Sequence, residues 1–202
     1  MRIGLLGPAE GNIAQLGAAA EFLLRTKEAD QVIYLGADDC AEHVSRRLSQ
    51  ALLGGEDADD AFLTQAVLAA TGGEARRIDD LLSRDASVRR FAALRTLPPA
   101  PARAVELIDD KVVMFVHDKA TLDPEDIANA ALLVYGKSKL PALNRFGPRA
   151  FFTPGPLRNG VIALLEREPD GNIVLSQFEP DTKATRSREL LLAHQARMVV
   201  LS

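Results

Sequence analysis

The chain has a single cysteine, Cys40, in 202 residues, so no internal disulfide can form, and a reducing compartment is expected. Histidine is nearly as scarce: His43, His117 and His194 are all there is. Basic residues are not in surplus. Lys and Arg number 24 against 28 Asp and Glu, a net charge of −4, which argues against a nucleic-acid partner. No uninterrupted apolar run approaches the roughly eighteen residues that suggest a membrane span. The opening Met1-Arg2-Ile3-Gly4 runs straight into a strand-like segment, without a charged n-region, a long apolar stretch or a cleavage site. No signal peptide is therefore expected, and the expected location is the cytoplasm. Internal repeats and low-complexity tracts are missing as well.

What is present is an ordinary globular balance, 47% hydrophobic and 26% charged, in a length that suits one domain, residues 1–202. Residues 2–7 are apolar and glycine-flanked, as in a buried strand. Asn12 stands where an N-cap belongs, before Ile13, Leu16, Ala20, Leu23 and Leu24 at three- and four-residue steps. Gln31–Gly36 reads as a second strand, and strand–helix–strand at this spacing implies a right-handed unit with parallel strands. Both Pro8–Glu10 and Ala37–Asp39 then fall at the carboxyl edge of the sheet, where open α/β sheets place ligands. A helical middle spans about 41–95, broken at Gly54-Gly55 and Gly72-Gly73, and Leu97-Pro98-Pro99-Ala100-Pro101 is a stiff connector. Residues 104–108 and 111–116 suggest a hairpin, and Asp123-Pro124-Glu125-Asp126 a helix start. Further strands are expected at Leu132–Tyr135, Ala150–Phe152, Val161–Arg167 and Ile173–Phe178, with Asp170-Gly171 turning between the last two. For the tail, a short helix around Arg188–His194 and a small strand at Met198–Leu201 are expected.

Three segments carry a resemblance: Gly4-Leu5-Leu6-Gly7-Pro8-Ala9-Glu10-Gly11-Asn12, Val134-Tyr135-Gly136-Lys137-Ser138-Lys139 and Phe152-Thr153-Pro154-Gly155-Pro156. Their order and spacing resemble the calcineurin-like metallophosphoesterases, in particular the small bacterial phosphodiesterases. The corresponding family segments run Ser-Asp-Thr-His-Gly-Asn, Gly-His-Thr-His and Asn-Pro-Gly-Ser. The likeness covers residues 1–40 and 105–178 well and the middle poorly. It implies an α/β fold of two packed mixed sheets flanked by helices, and in ordinary members a pair of divalent metals such as manganese.

The glycines and the Asn match; the metal ligands do not. The Asp-x-His positions hold Pro8 and Glu10. The bridging Asp after the second strand is Ala37, with Asp38 and Asp39 one and two residues late. His117 keeps the place of a family ligand but is followed by Asp118 rather than Gly. Gly-His-x-His has become Gly136-Lys137-Ser138-Lys139. A two-metal centre needs carboxylate and imidazole ligands to hold its ions and generate hydroxide, whereas a protonated lysine offers no lone pair. Counting matched positions, Glu10 supplies −1 and the two lysines +2. A divalent ion about 4 Å from one ammonium would be repelled by roughly 8 kcal/mol at an effective dielectric of 20. No metal cofactor is expected; Asp38, Asp39 and His117 are the weak candidates for a lone cation, though the two aspartates also suit the cap of a helix near Cys40.

The vestigial site is thus Glu10, Asn12, His117, Lys137 and Lys139, in which a Lys–Glu ion pair is expected where metals would have been. Asn12 with Lys137 and Lys139 could hold a phosphate or other anion. Two functional classes are open. The first is a catalytically inactive phosphoesterase fold acting as a protein-binding scaffold, for which the resemblance offers a precedent in a retromer subunit; an unknown protein partner, or a homodimer, is then implied. The second is a residual or altered phosphoesterase, with a non-hydrolytic phosphate or nucleotide sensor as its variant.

Overall fold

In the computed structural model, which describes residues 1–55, 57–72 and 75–193, eleven strands form two mixed sheets packed face to face. The first sheet has the order β11-β10-β9-β1-β2-β3, built from β1 (Arg2–Leu6), β2 (Gln31–Tyr34), β3 (Leu94–Thr96), β9 (Ile162–Arg167), β10 (Ile173–Phe178) and β11 (Thr185–Leu192). The second has the order β4-β5-β6-β8-β7, from β4 (Ala104–Ile108), β5 (Lys111–Val116), β6 (Leu132–Tyr135), β7 (Ala142–Phe146) and β8 (Arg149–Thr153). β1, β2 and β3 run parallel, as do β5, β6 and β8. The expected two-sheet α/β architecture is what the chain forms.

The period of two along each strand explains the layering. Ile3 and Leu5 of β1, Ile33 of β2, Phe115 of β5, Val134 of β6 and Phe152 of β8 point between the sheets and close one continuous core. Leu6, Val32 and Tyr34 point the other way, under α1 (Ile13–Glu21) and α2 (Cys40–Leu53). α1 continues as a π-helical turn, Phe22–Thr26. The outer face of the second sheet is covered by α5 (Pro124–Asn129), which starts as expected: Asp123 and Asp126 form a reciprocal capping box with Pro124 in the first turn.

The middle is helical in three pieces, α2, α3 (Ala58–Gly72) and α4 (Ala75–Phe91), and Gly54 ends α2 in the left-handed conformation. Two expectations need correction, and one strand adds to them. Helix does not persist to residue 95, because Leu94–Thr96 adds β3 in parallel to β2. Ala142–Phe146 is an edge strand on β8 that the sequence pattern does not announce. Residues 185–192 are β11, paired antiparallel with β10 across Leu175↔Glu189 and Ser176↔Arg188, rather than the start of a helix around Arg188–His194. The Arg-Glu-Leu-Leu-Leu run suits a helix locally, and the open edge of β10 overrides that preference. The strand expected at Met198–Leu201, and His194, lie outside the described residues. Among the described residues, no helix is long and apolar enough to cross a membrane.

Candidate functional site

The loops leaving the carboxyl ends of β1, β2, β5, β6 and β8 meet at one edge of the sandwich, where parallel strands present their ligands. Two close backbone approaches fix them. A Cβ on Gly7 would lie 1.7 Å from the Gly155 carbonyl oxygen, and one on Gly136 would lie 2.0 Å from the Leu35 carbonyl oxygen. Real side chains cannot exist at such distances, so these glycines let the loops of the two sheets touch. The Leu157 N–H then donates to the Pro8 carbonyl at 2.9 Å, and the Lys137 N–H to the His117 carbonyl at 2.7 Å.

Here Pro8, Glu10, His117, Lys137, Ser138, Lys139 and Pro156 line an open depression of about 390 Å³. The structure therefore brings together four of the five vestigial positions. The fifth, Asn12, is used elsewhere: its side-chain oxygen accepts from the Gln15 N–H at 3.0 Å and caps α1. His117 also lines a second depression of about 350 Å³, whose walls include Asp38, Glu42, Pro98 and Pro99.

The ion pairing differs from expectation. Glu10 pairs with Arg158 at 3.0 Å, and Lys137 with Asp118 at 2.5 Å; no Glu10–lysine pair forms among the described residues. The reason is the path of each loop. Asp118 follows His117 out of β5, beside the start of the β6 loop, whereas Arg158 leaves the Pro154–Leu157 turn beside Glu10. The Lys137 ammonium, and secondarily the Ala120 N–H, hold the Asp118 carboxyl below the usual carboxylate range.

The candidate cation ligands are also committed. His117 Nδ1 lies 2.8 Å from the Leu35 carbonyl oxygen, so this nitrogen carries the proton and donates. The Asp38 carboxylate accepts from the Tyr34 hydroxyl at 2.8 Å and from the Cys40 N–H at 3.1 Å, which makes it, not Asp39, the side chain that caps α2. Asp39 approaches His43 Nε2 at 3.1 Å on the surface.

Tyr34, which the sequence pattern did not single out, is the buried strut of this edge. Its ring is fully buried, and its hydroxyl accepts from the Ala9 N–H at 2.9 Å while donating to Asp38. Burial first, and the neighbouring carboxylate after it, push the phenol pKa far up, so it stays neutral. A sequence signal existed: a tyrosine ending a buried strand, with a carboxylate four residues on. Burial also raises the Cys40 thiol pKa, which suits a packing residue rather than a nucleophile.

These residues do not fit a two-metal centre. The matched positions offer one carboxylate held by Arg158, one imidazole, two ammoniums, a proline and an alanine. Among the described residues, no group of three His, Cys, Asp or Glu side chains is arranged to hold an ion.

No family model and no curated protein matches the sequence. Solved structures do match in fold. A phosphoesterase from E. coli, YfcE, is 16% identical over 95% of this chain and 100% of its own, with a TM-score of 0.52. A conserved protein of Streptococcus pneumoniae, described as a predicted phosphoesterase, is 13% identical over 94% and 97%, at 0.51. Vacuolar protein sorting 29 of Cryptosporidium parvum is 12% identical over 94% and 97%, also at 0.51. At such identities the likeness is one of fold. The chain has the calcineurin-like phosphoesterase fold over nearly its whole length.

Proposed function

We propose that this chain is a catalytically inactive form of the phosphoesterase fold that works by binding another protein and carries no catalytic metal pair. The observation behind this reading is the Lys137–Asp118 ion pair at the site edge, with Lys139 and the Arg158-bound Glu10 beside it. An ammonium repels the ion that an imidazole would have bound. The nearby carboxylates are already paired: Glu10 is held by Arg158, and Asp118 by Lys137. Support for a binding role comes from the fold neighbours, one of which is named for vacuolar protein sorting and not for hydrolysis.

A generic aryl phosphodiester assayed with excess manganese tests the proposal. Turnover indistinguishable between the wild type and His117→Ala is expected. Turnover that His117→Ala abolishes would replace this reading with that of an altered phosphoesterase.

A second reading has one observation of its own. Lys137 and Lys139 line one open depression, and two ammoniums there suit a phosphate or nucleotide without turnover. A nucleotide panel in a thermal-shift assay distinguishes it: a response lost in Lys137→Ala and Lys139→Ala supports a sensor, and a flat response supports the protein-binding reading alone.

A further inference from the structure

α3 is apolar on more than the face it buries. Ala61, Phe62 and Ala66 pack into a small cluster with Leu53, Leu81 and Val88, and the helix rests on α2 and α4. Leu63 and Val67, four residues apart and therefore on one face, are 60% and 64% exposed. Leu82 and Ile78 of the adjoining α4 are 51% and 39% exposed. A helix that is apolar on both sides is normally covered on both.

The charges at the two ends of this stripe indicate what covers it. α3 begins with Asp59 and Asp60, while α4, which starts three residues after α3 ends, has Arg76 and Arg77 and no acid in its first turn. Arg76 there opposes the helix dipole, and a carboxylate from another copy beside it would be favourable. The two helices run antiparallel, since Asp59 at the start of α3 pairs with Arg89 near the end of α4 at 3.2 Å. The α3–α4 hairpin is therefore acidic at the start of α3 and basic at its far end. A two-fold axis at Val67 sets Asp60, seven residues or about 10 Å before it, against the Arg76 end of another copy, and does so twice by symmetry.

We infer that a second copy of this chain covers the stripe, with α3 of each copy packed antiparallel against the other about Val67 and Asp60 facing Arg76 at both ends. The pairing is self-complementary, and its core is apolar and its rim charged, as in stable interfaces. It rests on the helical layer alone and is independent of the metal question.

Sedimentation velocity of the full chain over a concentration series tests this. The wild type is expected to sediment as a dimer that dissociates on dilution, and Val67→Asp as a monomer at every concentration. Asp60→Arg and Arg76→Asp should each weaken dimerisation at least tenfold, and the double variant should restore it. Circular dichroism confirms that each variant is folded. A wild type that stays monomeric would overturn the inference and leave the stripe to a different protein, and so would a dimer indifferent to Val67→Asp or charge reversals that the double variant fails to rescue.

Discussion

The sandwich and the helical layer at 40–91 are held together in different ways. Between the sheets, Ile3, Leu5, Phe115, Leu132, Val134 and Phe152 have essentially no exposed surface, and each strand is fixed by neighbours on one or both sides. In the helical layer, the cluster joining α2, α3 and α4 has three buried members, Leu53, Leu81 and Val88. One buried carboxylate oxygen there, Oδ1 of Asp85, has no hydrogen-bond partner among the described residues. The sandwich is over-determined and fixes its loop edge through Gly7, Gly136 and Tyr34, none of which is a ligand position, which is why the ligand positions can differ without loss of the fold. The helical layer is built around a thin core and has apolar surface to spare, as an interaction element does.

That contrast can be broken most directly at Phe115. Phe115→Ala should cost about 3–5 kcal/mol in urea unfolding, since the void lies between two sheets that cannot collapse together. Leu81→Ala in the helical layer should cost about 2 kcal/mol, because helices on one side only can close in; equal losses would erase the distinction. Tyr34→Phe sharpens the account of the loop edge. Losing the hydroxyl strands the Ala9 N–H and one Asp38 bond, and should cost about 1–3 kcal/mol by the same measurement. Asn12→Ala, which removes the cap of α1, should cost about 1 kcal/mol.

The smallest effect is one of pH. The Asp118 carboxyl is depressed in the folded chain, so its contribution to stability is present above the ordinary aspartate range and is lost as pH falls through the lowered value. A carboxyl NMR titration should find Asp118 below the ordinary aspartate range. In Lys137→Met it should move back up, and an unmoved titration would refute the pairing.

The core strands were legible because β1, β2, β5 and β6 are short continuous apolar runs bounded by glycine or charge. The strands missed or misread have no such signature. Leu94-Arg95-Thr96 is three residues long, Ala142–Phe146 is an exposed edge, and Thr185–Leu192 takes its conformation from β10. At the site, the convergence of Pro8, Glu10, His117, Lys137 and Lys139 followed from motif order. Their partners did not: the approach of Arg158 to Glu10 and the choice of Asp118 by Lys137 depend on where two loops cross, 148 and 19 residues apart in sequence.

The central claim is that this edge binds no catalytic metal pair. Metal analysis of the full chain, equilibrated with excess manganese and then dialysed, tests it most directly. The account predicts far less than one ion per chain, unchanged in His117→Ala. Two tightly held ions per chain, lost when His117 is replaced, would contradict it.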